Sequence, residues 1–339
     1  MQIPIKNIYH LLSYSWGYFS FSKKSNLDKD SYKTNTEFFS HIFDSALTKY
    51  LKNGINKDYI TLNEELKTIR GKIDFSNTIK SLGFKSKKFT CIYDQYSINT
   101  EFNQLIKSTI NILIRSKIKI ETKKDLKKKL IYFKGVDDIK INRDLFKKIK
   151  IAKHRKHLKF LTNLSYYIHS KIGFNENTGK YELSDFISSD KEMAAIFEKF
   201  ILNFYKKNLD RNKYKVKGSE QIKWDSDEVD EFYPRMKTDI TIQKKDSKLI
   251  IDTKYYNDVY QYNFNVPKFK SNNLYQIYTY INNYKPTNHS ESVEGMLLYP
   301  STHSQIRNEK MIGGKKIKIN TINLNQDWSS IESELINLI

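Results

Sequence analysis

Cysteine is almost absent from this chain. The single thiol, Cys91, excludes an internal disulfide and any zinc site built from several cysteines. It reads as a small buried hydrophobe. No run of about eighteen apolar residues occurs, so no membrane-spanning helix is expected. The opening residues Met1–His10 lack a charged segment followed by a long apolar one. No signal peptide is therefore apparent, and a cytoplasmic location is expected. The eleven glycines nowhere form G-x-x-x-x-G-K-[ST], so nucleotide hydrolysis through a P-loop of its own is not expected. His154, His157 and His169 form no H-E-x-x-H pattern and read as ordinary helix residues. Internal repeats and long low-complexity linkers are missing as well.

Negative charge is also scarce. Lys and Arg number 59 against 38 Asp and Glu, a formal charge of +21. Such an excess favours a polyanionic partner, most simply nucleic acid. Lysine supplies most of it in a chain also rich in Asn, Ile and Tyr, so a compositional habit of the source remains an alternative.

What is present suggests about two domains in 339 residues. Apolar spacing predicts helices at Ile5–Trp16, Glu37–Leu51, Thr100–Lys117 and His154–Ile172. Lysine-dense helices are expected at Glu121–Tyr132 and Arg143–Ile151. Between them, residues 58–98 change character. Tyr59–Leu66, Thr68–Phe75 and Lys88–Ser97 read as strands, either a module that touches a partner or a solvated sheet. The polar stretch Gly173–Lys180 suggests a boundary. Ser189-Asp190-Lys191-Glu192 is a capping box opening a helix through Phe204. Ser219–Trp224 reads as a strand, Asp225–Glu231 as an acidic loop, and Asn257–Phe269 as a loop able to close over a substrate. A helix at Ser271–Tyr284, strands at Val293–Tyr299 and Lys315–Leu324, and a helix at Asp327–Ile339 complete the chain. The fold class expected is an α+β N-terminal domain, residues 1–178, followed by an α/β domain, residues 179–339.

The chemistry concentrates in Met236–Tyr256. Ile240 and Ile242 alternate with Asp239 and Thr241, Lys244-Lys245-Asp246-Ser247 suits a turn, and Leu249-Ile250-Ile251 reads as a buried strand. Side chains alternate across a strand, so Asp252 and Lys254 share one side. Antiparallel pairing brings Asp239 to the same edge. Two carboxylates that close repel unless a cation lies between them. Mg²⁺ suits such oxygen ligands, and Asp239, Asp252 and the Thr253 backbone carbonyl are the candidate metal set. An ordinary surface hairpin with scattered charges is the competing reading.

Asp239, twelve residues, then Asp252-Thr253-Lys254 resembles the PD-(D/E)xK nuclease site, although Thr238 stands where that pattern has proline. Nucleases of this type often draw a further acid from the helix before the sheet. Glu198 is the candidate, with a surface salt bridge as its alternative. Gln276 and Tyr280, four apart on the later helix, share a face that can look toward the metal and hold phosphate. An ordinary helix surface is the alternative.

Longer stretches carry a closer likeness. I-P-I-K-N-I-Y-H-L-L-S-Y-S-W-G at Ile3–Gly17, I-R-G-K-I-D-F at Ile69–Phe75 and N-Q-L-I-K-S-T-I at Asn103–Ile110 come first. K-E-M at Lys191–Met193, P-R-M-K-T-D-I-T-I at Pro234–Ile242, D-T-K-Y-Y at Asp252–Tyr256 and N-L-Y-Q-I-Y-T-Y at Asn273–Tyr280 follow. With these, the chain resembles the McrC family, the nuclease subunit of the McrBC modification-dependent restriction system. The resemblance implies a C-terminal PD-(D/E)xK restriction-endonuclease-like domain that cuts double-stranded methylated DNA with Mg²⁺. Asp239, Asp252 and Lys254 are then its catalytic set. It implies an N-terminal domain docking on a hexameric McrB-like AAA+ GTPase, which binds the GTP and recognises 5-methylcytosine. The basic segment 58–98 is the expected contact. A nuclease-inactive adaptor that stimulates the GTPase, and a stand-alone nuclease, are the alternative functions. The intact acids argue against the first. The large N-terminal half argues against the second.

Overall fold

The computed structural model describes residues 3–17, 32, 34–81, 85, 87–152, 154–175, 180–183, 190–226, 232–256, 258–264, 266–285, 292–302 and 305–339. Most of Lys23–Thr36, a polar stretch whose composition reads as a loop, lies outside them, as do Ser189 of the capping box and residues 227–231 of the acidic run. The chain forms two compact units, one from Met1–Lys29 with Phe186–Ile339 and the other from Asp30–Asp185. The expected division at 178/179 therefore moves. The N-terminal helix α1 (Ile5–Ser15) belongs with the C-terminal unit.

In the unit from Asp30 to Asp185, α2 (Asn35–Lys52) starts where the Thr34 hydroxyl accepts the Glu37 N–H at 3.2 Å. Strands β1 (Asp58–Leu66), β2 (Lys72–Ile73) and β3 (Phe89–Ser97) form an antiparallel sheet with β3 central. The strand expected over Thr68–Phe75 shrinks to two residues because Asp74 caps a short helix, α3 (Phe75–Lys80), accepting the Asn77 N–H at 3.0 Å. Helices α4 (Glu101–Arg115), α5 (Ile120–Lys129), α6 (Arg143–Lys148) and α7 (Lys156–Lys171) follow. Asn103, at the head of α4, is fully buried. Its amide donates to the Asn56 and Ile98 carbonyls at 2.7 Å each and accepts the Tyr50 hydroxyl at 2.7 Å. A buried amide satisfied on both sides fixes the approach of α2, β1 and α4. The polar stretch Gly173–Lys180, expected as a boundary, holds part of a hairpin, β4 (Ile172–Asn175) with β5 (Lys180–Leu183).

The other unit resumes at α8 (Asp190–Asn208), followed by β6 (Lys215–Gly218), β7 (Gln221–Ile222), β8 (Met236–Lys237), β9 (Ile240–Gln243) and β10 (Ser247–Thr253). The single strand expected at Ser219–Trp224 is thus displaced. Residues 215–218 enter the main sheet, and 221–222 pair with β8 instead. Asn257–Phe269, expected as a loop, contains a hairpin of β11 (Tyr260–Asn263) and β12 (Val266–Phe269). Helix α9 (Ser271–Asn283) then crosses to β13 (Ser292–Ser301), which runs parallel to β10. Pro300 does not end that strand; it pairs with Ile322 inside the ladder. Strand β14 (Arg307–Ile312), unanticipated, covers the edge of β15 (Lys315–Asn323), and α10 (Trp328–Asn337) follows.

The six-stranded sheet runs in the order β14-β15-β13-β10-β9-β6. Its two faces have separate cores. Ile240, Ile242, Leu249 and Ile251 pack with Phe197, Phe200 and Phe204 of α8 and with Ile331 and Leu335 of α10. Ile250, Leu297 and Tyr299 pack with Ile277 and Ile281 of α9. A strand buried on both sides needs an unbroken apolar run, and Leu249–Ile251 supplies it. Gly295 lets α9 lie close, since a Cβ there would meet Ile277 Cγ1 at 2.7 Å. Leu11 and Tyr14 of α1 join the α8 face. The Asn7 amide donates to the Leu324 and Gln326 carbonyls at 2.9 and 2.8 Å, and His10 stacks on Trp328 at 4.2 Å. Those contacts hold the first helix to the last quarter of the chain. Among the described residues, no helix is long and apolar enough to cross a membrane.

Candidate functional site

Strands β9 and β10 pair antiparallel with Ile240 opposite Ile251. One step further along that register, Asp239 stands opposite Asp252. The structure fastens the two positions together. Asp239 Oδ2 accepts both the Thr253 N–H and the Thr253 hydroxyl, each at 2.8 Å. A carboxylate bonded to a main-chain amide and a hydroxyl has little rotational freedom, so Asp239 is held at the end of β10. Asp252 is 1% exposed, and its Oδ2 lies 2.7 Å from the Lys254 ammonium. That buried oxygen takes no well-aligned hydrogen bond.

Lys254 is positioned from a third element as well. Its amine donates to Gln276 Oε1 at 2.8 Å, and Gln276 Nε2 donates to the Tyr280 hydroxyl at 2.7 Å. Its backbone N–H donates to the Leu298 carbonyl at 3.0 Å, extending the β10–β13 ladder. The predicted helix face bearing Gln276 and Tyr280 does look toward Asp252 and Lys254. What sequence reasoning missed is that Gln276 grips the lysine. The four-residue spacing was the available signal, but it gave no direction.

The electrostatics follow from this crowding. Burial, and then the charge of Asp239, push the Asp252 carboxyl up to about 6 against the pull of Lys254. Burial alone would lower the Lys254 amine. Asp252 and Asp239 outweigh it, and the amine is raised, so it stays an ammonium at neutral pH. Glu198 on α8 is raised by burial and by Asp239, which puts it within electrostatic reach of the pair. It does not complete a cluster. Among the described residues, no three acidic, histidine or cysteine side chains converge to hold a metal ion.

The donor set is two carboxylates from adjoining strands, one of them carrying a buried oxygen whose close partner among the described residues is the Lys254 ammonium. Such a set fits a hard divalent cation that keeps several of its waters. The Thr253 carbonyl is adjacent in the chain.

A family model described as "McrBC 5-methylcytosine restriction system component" matches residues 6–300. The chain is 30% identical over 342 aligned positions to the "Type IV methyl-directed restriction enzyme EcoKMcrBC" of Escherichia coli K12, covering 99% of this chain and 97% of that protein. Its fold is similar to a chain in the half-complex of a tetradecameric assembly of Thermococcus gammatolerans McrB AAA+ hexamers with bound McrC. There the TM-score is 0.51 at 16% identity, over 99% of this chain and 76% of the other.

Proposed function

The chain belongs to the family of McrBC 5-methylcytosine restriction system components, and from that membership we propose that it is the DNA-cutting subunit of such a system. Its C-terminal unit is a PD-(D/E)xK endonuclease domain, and Asp239, Asp252 and Lys254 are its catalytic set. The observation that carries this reading is the clasp of Asp239 on Thr253, opposite the buried Asp252, with the Lys254 ammonium 2.7 Å from that carboxylate.

Asp239, Asp252 and the Thr253 carbonyl would hold Mg²⁺. When bound, the ion supplies a Lewis acid that lowers the pKa of water and stabilises charge on a phosphoryl oxygen. Lys254 works as a cation and hydrogen-bond donor, because its raised pKa makes it a poor base. Held between Asp252 and Gln276, its ammonium needs no reorganisation to meet the negative charge that grows on phosphorus oxygens. Tyr280, behind Gln276, keeps that side chain in place. Hydrolysis then joins a water oxygen to phosphorus while the bond to the leaving sugar oxygen breaks. Glu198 lends negative charge near the pair.

The unit from Asp30 to Asp185 docks on a hexameric McrB-like AAA+ GTPase and stimulates it, while the partner binds GTP and selects methylated DNA. The chain in the Thermococcus assembly with bound McrB hexamers supports a docking role. So does the sheet within 58–98, where Tyr59 and Tyr96 are exposed with ring centroids 5.2 Å apart.

Plasmid cleavage with Mg²⁺, with and without the cognate GTPase and GTP, tests this reading. The complete wild-type mixture cuts. Asp252→Ala abolishes cutting and keeps GTPase stimulation, because the two activities belong to different units. Continued cutting by Asp252→Ala removes Asp252 from the mechanism. Cutting without the partner would make the chain a stand-alone nuclease, and no cutting in any mixture would leave a GTPase-activating adaptor.

A further inference from the structure

The β11–β12 hairpin sits between the two elements that build the site. It leaves the chain a few residues after Lys254, and its second strand leads directly into α9, which carries Gln276 and Tyr280. Its foot is firm. Tyr260 and Phe269 stack at 5.2 Å, Phe269 packs on the core beside α9, and Val259 is buried in that core. Two strands of four residues, at about 3.3 Å per residue, carry the tip roughly 13 Å from the foot.

The tip is unusual. Asn263 pairs with Val266, so the connection is short. Short hairpin turns commonly call for positive φ and select Gly, Asn or Asp. The first residue past the strand is instead Phe264, with φ at +49° and its ring fully exposed. A bulky residue in that region is strained, and an aromatic ring in water gains nothing from burial. The pairing also places Tyr262 opposite Pro267 on the same face as Tyr260 and Phe269. One side of the hairpin is thus an apolar ladder of Tyr260, Tyr262, Pro267 and Phe269, and Phe264 follows at the tip. The other side carries Gln261 opposite Lys268. At the foot, the Lys270 ammonium lies 3.9 Å from the centre of the Tyr256 ring, two residues beyond Lys254.

An apolar wedge flanked by lysines, beside a site for phosphodiester cleavage, matches duplex DNA in shape and charge. Apolar side chains that enter a base step unstack it and bend the helix, and lysines at the rim meet the phosphates. We propose that the β11–β12 hairpin is a DNA wedge. Phe264, backed by Tyr262, enters a base step near the scissile phosphate, and Lys268 and Lys270 hold the backbone. This rests on the nuclease reading and adds to it how the duplex is gripped.

The test uses the full chain and a methylated duplex carrying 2-aminopurine, titrated in Ca²⁺ at low salt. Wild type and Phe264→Trp are expected to brighten the probe by unstacking it. Phe264→Ala and Tyr262→Ala lose the brightening, and Phe264→Ala binds about tenfold more weakly, the size of one lost base–aromatic stack. Circular dichroism confirms that the variants are folded. Equal binding and brightening by Phe264→Ala, or no brightening by wild type, overturns the proposal. A loss of GTPase stimulation by Phe264→Ala with unchanged DNA binding also overturns it, and assigns the hairpin to a protein partner. These outcomes are separate from plasmid cleavage. The contrast between wild type and Asp252→Ala stands or falls there whatever the hairpin does.

Discussion

Asp252 carries the largest electrostatic cost in the site. Its carboxyl titrates at about 6 against an ordinary 3.8, because burial and Asp239 both disfavour the anion. The folded chain therefore holds this proton more tightly than the unfolded chain does. Stability conferred by the neutral form is complete below about pH 4 and is lost as pH rises toward 6. In EDTA at pH 8, Asp252→Asn should be more stable than wild type by on the order of 2 kcal/mol, and the difference should vanish below pH 4. Calorimetry across pH measures it, and a constant offset between the proteins would contradict it. Saturating Ca²⁺ should raise the wild-type melting temperature and leave Asp252→Asn unmoved. At this scale the sequence was informative about identity and silent about partners. Asp239, Asp252 and Lys254 could be read from alternation and the position of a turn. The Thr253 clasp and the Gln276–Lys254 bond depend on how α9 lies on the sheet, which no local pattern encodes.

At the scale of elements, buried strands and amphipathic helices were legible because their apolar periods are local. Failures came where tertiary structure overrides the period. Pro300 continues a strand because its neighbour β15 and the buried core fix its course. The aromatic stretch 257–269 contains a hairpin because Tyr260 and Phe269 stack across it. The motif I-R-G-K-I-D-F is clearer in the structure than in the sequence. Gly71 has φ at +61°, and a Cβ there would collide with the Ile92 carbonyl and lie 2.7 Å from Tyr93 Cβ. Gly71 is what lets the turn before β2 press against β3. Gly71→Ala should destabilise this sheet by about 2 kcal/mol, from left-handed strain and overpacking together. Hydrogen exchange of the β1 and β3 amides should accelerate, while the β10 and β13 amides stay protected. Unchanged exchange in β1 and β3 would show that the turn can relax.

At the scale of the whole molecule, the chain returns on itself. Its first helix covers the last unit, tied by Asn7 to Leu324 and Gln326 and by Tyr14 to Glu332 at 3.1 Å. Sequence distance hid this, since contacts across more than three hundred residues leave no periodic trace. The charge of +21 did point toward a polyanion, yet the residues proposed to act on it are few, and two of them are acids. The central claim is that Asp239 and Asp252 share one divalent cation. Crystals of the full chain soaked in Mn²⁺ and measured at its absorption edge test this directly. A single anomalous peak between the two carboxylates, lost in Asp252→Asn, is the predicted result. A peak elsewhere, or none at a concentration that supports cleavage, would contradict it.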